Sequence, residues 1–308
     1  MAKKNFQTVY QRPDDPYIYL WVMGEWYCYD PSSKPLGSGA MGTVFMGYRC
    51  KDGALMAIKR VKDSFANNPL IRERARQEAS LAFRHPNLVE MIGYCEYAPD
   101  SGPIFMVSKF VAGKDIDKYV AEFINGPDRV EKICSAMCQV LDALEYVHSR
   151  GVIHRDIKPS NIMVEEDSNV RLMDLGIARM NGGNKFSAYG FIGTPQYAAP
   201  EQVLREKTGI VQINASTDLY ALGITFYELL TGHNPFDCDT EIDTLTRQIR
   251  EPLPISDQIP KRLMNVLLKA TEKEQSKRYQ KAADFKAAVE EAMMPPKSFW
   301  QRVKEWFA

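Results

Sequence analysis

The run His154-Arg155-Asp156-Ile157-Lys158-Pro159-Ser160-Asn161 constrains this chain more than any other stretch. It places a carboxylate, an ammonium and a neutral amide within six residues. Asp156 can accept a proton, and Lys158 can hold a negative oxygen beside it. Asn161 is a neutral oxygen ligand suited to a hard cation such as Mg²⁺. Thirteen residues later, Asp174-Leu175-Gly176 supplies a second carboxylate followed by a glycine. A base, a cation and two metal-ligand types in this order suit phosphoryl transfer, which needs positioning and charge neutralisation more than covalent chemistry. Taken alone, the run also reads as a polar surface turn after a helix, so the rest of the chain has to decide.

Upstream, Gly37, Gly39 and Gly42 fit Gly-x-Gly-x-x-Gly, with Val44 two residues on. Glycines at this spacing let backbone N–H groups approach phosphates. Dinucleotide folds use the same spacing but need a helix directly afterwards. Here Thr43-Val44-Phe45-Met46-Gly47-Tyr48 follows, which reads as a strand, so a hairpin lid over a nucleotide fits better. Met56-Ala57-Ile58-Lys59-Arg60-Val61 is a second strand, with one lysine in an apolar setting.

In order and spacing these segments resemble the eukaryotic-type protein kinases, most closely the bacterial Ser/Thr kinases. The resemblance covers about residues 34–292. It implies an α+β, bilobal fold: an N-lobe antiparallel β-sheet with one main helix, and a mostly helical C-lobe. The expected division is an N-terminal extension over residues 1–33, an N-lobe over 34–108, a hinge over 109–113, a C-lobe over 114–292 and an amphipathic tail over 293–308. The resemblance implies that Asp156 is the catalytic base, that Lys158 steadies the transferred phosphoryl, and that Thr194 bonds to both. It gives Asn161 and Asp174 to the metal, Mg²⁺ or alternatively Mn²⁺. It gives ATP contacts to Leu36, Gly37, Ser38, Gly39, Ala40, Met41, Gly42, Val44, Ala57, Lys59, Lys109, Val111 and Met163. Ser108, just before the hinge, is small where the family has a larger residue, which should open a pocket behind adenine.

Residues 70–84 read as a charged helix ended by His85-Pro86. In the family this helix carries a glutamate that pairs with the strand lysine. Gln77-Glu78-Ala79 resembles the local motif, so Glu78 is assigned to Lys59, with a short deletion after it. Ungapped counting lands on Arg76 instead, and Glu73 is the alternative. Leu88–Tyr94 and Ile104–Val107 read as strands. Helices are expected over 114–124, 128–149, 239–250, 258–271 and 279–293, with a buried helix from Ser216 through Leu230. The segment from Asp174 to Glu201 resembles an activation segment, in which Ser187 and Tyr189 are hydroxyls that Arg155 could hold if phosphorylated. Asp218 should anchor the catalytic-loop backbone, and Arg278 should pair with Glu201.

At the N-terminus, Tyr17–Val22 and Glu25–Tyr29 flank Met23-Gly24 and suggest a β-hairpin whose aromatics pack on the following domain or face a partner. In the tail, Phe299, Trp300, Val303, Trp306 and Phe307 lie near one face of a short helix. That face would dock on the C-lobe, or lie at a membrane interface before a span outside this sequence. The 39 basic and 39 acidic residues cancel, which gives no bulk electrostatic case for nucleic acid or an anionic membrane. None of the six cysteines forms a Cys-x-x-Cys pair, as expected for reduced thiols in a cytoplasmic protein. No secretory signal and no bilayer-spanning run is seen, though the full-length protein could be membrane-tethered. Expected partners are ATP, a protein with a Ser/Thr acceptor, and an activator or second copy. The competing class is a pseudokinase, a nucleotide-binding interaction module; a small-molecule kinase on the same fold is disfavoured by Gly193-Thr194-Pro195 and Ala199-Pro200-Glu201, which by the resemblance build a peptide-binding ledge.

Overall fold

In strands β2 (Ile18–Val22) and β3 (Glu25–Tyr29) alternate side chains turn inward: Leu20, Val22, Tyr27 and Tyr29 are buried. Between the strands, Met23 (φ 49°) and Gly24 (φ 86°) are both left-handed, the geometry of a two-residue hairpin turn. The strands pair from Ile18–Tyr29 to Val22–Glu25. The computed structural model describes residues 8–39, 42–66, 83–98, 101–174, 194–208 and 212–295, together with Pro69, Arg72, Glu73, Ala75 and Arg76.

The hairpin belongs to an antiparallel sheet with β1 (Val9–Gln11), β4 (Gly37–Ser38), β5 (Gly42–Arg49), β6 (Leu55–Val61), β7 (Met91–Ala98) and β8 (Ser101–Lys109). Its order is β1-β2-β3-β5-β6-β8-β7, with β4 paired to β5. The sheet curls so that β2, near one end of that order, meets β7 at the other. Thr8 Oγ1 donates to the Glu96 carbonyl at 2.6 Å. Gly93 makes the approach possible, because a Cβ there would sit 2.8 Å from Val22 Cγ1. Tyr29 fills the enclosed core against Phe45 and Phe105, at ring separations of 5.1 and 6.0 Å. Burying each such side chain contributes about 1.5–3 kcal/mol.

Two strand boundaries differ from expectation. The segment before Met91 is drawn to the other lobe: Val89 N–H donates to Leu172 O, and Leu172 N–H donates to Asn87 O. Leu88 is buried there, among the helices. The β7–β8 hairpin instead extends out to the Ala98–Ser101 pair.

The second lobe is helical: α2 (Ile116–Ala121), α3 (Arg129–His148), α4 (Pro200–Thr208), α5 (Ala215–Thr231), α6 (Glu241–Arg250), α7 (Lys261–Ala270) and α8 (Ala282–Met293). A short α1 (Asp63–Ala66) lies in the first lobe. Helix α5 is apolar on nearly all sides and lies buried at the centre. It starts at an Asn214–Thr217 capping box and stops at Gly232 (φ 82°). Gly113–Asp115 forms β9 instead of helix, because it pairs with β10 (Ile162–Glu165), which pairs in turn with β11 (Val170–Leu172). The fold is thus α+β and bilobal. Among the described residues no helix is long and apolar enough to cross a membrane. All six cysteines are free.

Candidate active site

The backbone of the His154–Asn161 run is fixed from below. Gly151 (φ 74°) ends the turn after α3 and sends Val152-Ile153 back across the lobe. Asp218 on α5 is 1% exposed and accepts three hydrogen bonds. They come from His154 N–H (2.8 Å), Arg155 N–H (2.7 Å) and His148 Nε2 (2.7 Å). Burial would raise the Asp218 carboxyl, but His148, His154 and the Arg155 N–H outweigh it and hold it below the usual range. Arg155 sits at φ 67°, a conformation uncommon for a side-chain-bearing residue, and Asp218 secures it. His154 is fully buried, which lowers its pKa. Its Nδ1 accepts from Asp156 N–H at 3.3 Å, so Nε2 donates to Met173 O at 2.8 Å.

Above this base the sequence-predicted polar groups converge. Thr194 Oγ1 donates to Asp156 Oδ1 at 3.2 Å. Lys158 Nζ lies 3.2 Å from Asp156 Oδ2 and donates to Thr194 Oγ1 at 3.0 Å. Asn161 Nδ2 donates to Asp156 O and Oδ2, at 2.7 and 3.1 Å. That orients the Asn161 amide and leaves its oxygen as the group free to ligate. Met173 N–H donates to Asn161 O at 2.8 Å, so Asn161 and Asp174 are held side by side. Across the cleft, Lys59 Nζ lies 2.9 Å from Asp174 Oδ2. The Lys59 charge is the main reason that the Asp174 carboxyl is held below its usual range. A carboxylate and an amide oxygen are hard donors, and two of them suit a divalent cation that takes its other ligands from phosphate and water. The donor set fits Mg²⁺ or Mn²⁺.

The roof is the cleft face of β5, β6 and β8. Val44 is opposite Lys59 and Lys59 opposite Met106; Met46 is opposite Ala57 and Ala57 opposite Ser108. Leu36 N–H donates to Val44 O, and Gly39 N–H donates to Gly42 O, which closes the glycine hairpin. The three glycines differ. A Cβ on Gly42 would lie 2.7 Å from Arg60 O, so packing requires glycine there. At Gly37 and Gly39 it would meet nothing, and neither has a positive φ, so the protein's own packing demands glycine at neither; close backbone approach to a phosphate supplies a reason. Ser38 Oγ lies 3.3 Å from Thr43 Oγ1 on the same hairpin. Lys109 ends β8, its amine 2.6 Å from Glu90, and Val111 beyond it is buried. Met163 on β10 is half-buried. Ala40, Met41, Glu78, Ser187, Tyr189 and the tail aromatics lie outside the described residues.

Three features were not anticipated. Arg72 and Arg76, one helical turn apart, both hold Glu96 on β7: Arg72 Nη1 at 2.5 Å and Arg76 Nε at 2.8 Å. Arg72 is 1% exposed and also donates to Gly102 O. Glu73, the alternative acid for Lys59, lies 3.7 Å from Arg76. Two arginines four residues apart in a charged helix were the available signal, but nothing local named Glu96. Gln202 Nε2 donates to Arg155 O at 3.3 Å, and Gln248 on α6 reaches the turn Pro195–Tyr197 behind Thr194. The expected pair is in place: Arg278 meets Glu201 with two bonds of 2.7 and 2.8 Å, both residues buried.

A family model described as "Protein kinase domain" matches residues 31–292. The probable serine/threonine-protein kinase PknB of Lactococcus lactis is 32% identical over 254 residues, 80% of this chain and 39% of that protein. Serine/threonine-protein kinase PknB of Mycolicibacterium smegmatis is 33% identical over 262 residues, 82% of this chain and 41% of that protein. The chain thus spans about two fifths of the length of these relatives. A crystal structure of the Mycobacterium tuberculosis PknI kinase domain superposes with a TM-score of 0.66 at 25% identity, covering 86% of this chain and 96% of that one.

Proposed function

The chain belongs to the protein kinase domain family, and from that premise we propose that it transfers the γ-phosphoryl of ATP to Ser or Thr hydroxyls of proteins, its own included. The observation that carries the reading is the placement of Asp156 among Lys158, Thr194 and Asn161, with Asp174 beside Asn161 and Lys59 reaching Asp174 from across the cleft. Asp156 orients the acceptor hydroxyl and takes its proton late, as the new O–P bond forms and the bond to the ADP oxygen breaks. Lys158 stabilises the phosphoryl in transit. Lys59 and the backbone of residues 37–42 hold the phosphates, beneath Val44 and Ala57 and above Met163; the Lys109 carbonyl and Val111 N–H face adenine. Asn161 and Asp174 would hold Mg²⁺, with Mn²⁺ an alternative, and the ion would neutralise phosphate charge. Glu78 is the proposed partner of Lys59. The kinase unit spans 34–292, works in the cytoplasm, where ATP is available, and takes an activator or second copy as partner.

One observation favours the second reading, a nucleotide-binding interaction module. Arg76 stands where ungapped counting expects the acid for Lys59, and it is engaged by Glu96. Radiolabelled transfer from ATP decides between the two, with Asp156→Asn as control. Label on Ser/Thr in the wild type and none in the variant supports the kinase. Equal silence from both, with ATP still bound, supports the module.

A further inference from the structure

The turn that carries Thr194 is held from behind by a line of polar groups that the transfer step does not use. Pro195–Tyr197 forms a 3-10 turn directly after Thr194. Gln248 is completely buried, and its Nε2 donates to Gln196 O at 2.5 Å and to Pro195 O at 3.4 Å. Its Oε1 accepts from the Tyr220 hydroxyl on α5 at 2.6 Å. Lys273 Nζ donates to that same hydroxyl at 2.7 Å. The Lys273 amine also lies 5.1 Å from the Tyr220 ring centre and 4.2 Å from that of Phe236. Burial pushes the Tyr220 phenol well above its usual pKa, so it acts as a neutral donor. The line therefore has one direction. An ammonium can only donate, which turns the hydroxyl hydrogen toward Gln248 Oε1 and leaves the Gln248 amine for the turn.

We propose that Lys273, Tyr220 and Gln248 are a positioning relay for the substrate-binding ledge at Thr194–Tyr197, and that the charge on Lys273 tunes how well a protein substrate docks there. This rests on the kinase reading. Groups facing Lys273 come from each side: Tyr220 from α5, Arg278 with its partner Glu201, Glu251 beyond α6, and Glu272 beside it. Burial and the Arg278 charge lower Lys273 to about 7, against the pull of Glu251 and Glu272. Below that pH the ammonium imposes the direction of the line. Above it the neutral amine can accept from Tyr220, and Gln248 Oε1 then loses its donor in a buried site.

The test is steady-state kinetics on a peptide acceptor from pH 6 to 8.5, for the wild type, Gln248→Met, Tyr220→Phe and Lys273→Met. One buried hydrogen bond corresponds to about 5- to 10-fold in docking. The wild-type KM for peptide should rise by about that factor from pH 6.5 to 8.5, with kcat and the KM for ATP nearly constant. Lys273→Met should abolish this pH dependence, and Gln248→Met should raise the peptide KM at every pH. Tyr220→Phe removes a single oxygen, so it serves if the other variants fold poorly. Hydrogen–deuterium exchange of residues 195–199 reads the relay without any transfer: Gln248→Met and Tyr220→Phe should each lose protection. If the wild type transfers nothing, the kinase reading fails and exchange alone decides the relay. Unchanged exchange in both variants overturns the proposal, as does a wild-type pH profile that survives in Lys273→Met.

Discussion

Replacing Asp218 by Asn changes one atom and tests how the catalytic loop is held. Asp218 Oδ1 accepts from Arg155 N–H at 2.7 Å; Oδ2 accepts from His154 N–H at 2.8 Å and His148 Nε2 at 2.7 Å. Asparagine can keep an acceptor on one side only. In the better orientation its oxygen serves His154 and His148, and its amine then faces the Arg155 N–H, donor against donor. Hydrogen bonds to a charged acceptor are worth about 1.5–3 kcal/mol. Arg155 needs that support, because its positive φ costs roughly 1–3 kcal/mol. Losing the hold should therefore depopulate the working loop by about 10- to 150-fold, at 1.36 kcal/mol per factor of ten. The expectation is a kcat reduced within that range, a KM for ATP changed by less than about threefold, and a lowered Tm. The assay is peptide phosphorylation beside a thermal melt. A kcat within about twofold of wild type, in a variant whose Tm has fallen, would refute the reasoning: Asp218 would then brace the lobe without setting the loop.

Three further outcomes follow from the geometry. Ser108 lies opposite Ala57, both small, so the wild type should accept an N6-benzyl ATP analogue; Ser108→Met should raise its KM by about tenfold or more with little effect on ATP, and indifference to the substitution would remove the pocket from the argument. Glu96→Gln leaves the 1%-exposed Arg72 charged beside a neutral amide and should cost about 3–5 kcal/mol, a fall in Tm of roughly 5–15 °C; a shift under about 2 °C would show the cluster to be energetically idle. Asp174 has a depressed folded-state pKa, so its contribution to stability is complete above the ordinary carboxylate range and fades as pH falls through the folded value; Lys59→Met should raise that pKa, read by carboxyl NMR, and an unmoved titration would mean that Lys59 is not the cause.

What the sequence disclosed and what it hid divide by the range of the interaction. The catalytic run, the glycine hairpin and the Lys59 strand were legible because each is a short segment whose chemistry needs particular residues at fixed spacing. The helical lobe was legible from period 3.6, to within about three residues at most ends, since packing one face demands it. The strand at Leu88 was misplaced because its apolar run fits a sheet and a helical core equally well. Only the backbone bonds to Leu172 and Asn87, some eighty residues apart in sequence, decide for the core. The relay through Gln248 and Tyr220 was hidden for the same reason. A lone glutamine in an amphipathic helix looks like an exposed polar residue until the fold buries it.

Glu96 shows what such long-range contacts add to a family pattern. Its carboxylate takes Arg72 and Arg76, while its backbone carbonyl takes Thr8 Oγ1. One residue on β7 is thus the meeting point of the N-terminal strands and the helical segment that carries the two arginines. Strands β1 to β3 precede residue 31, where the family match begins. Removing them would uncover Phe45 and Phe105, against which Tyr29 packs, and it would open the side of Gly93 on which Val22 now rests. The bond from Thr8 Oγ1 to the Glu96 carbonyl would be lost at the same step. Glu96 therefore links the N-terminal strands to the two arginines through a single residue of β7.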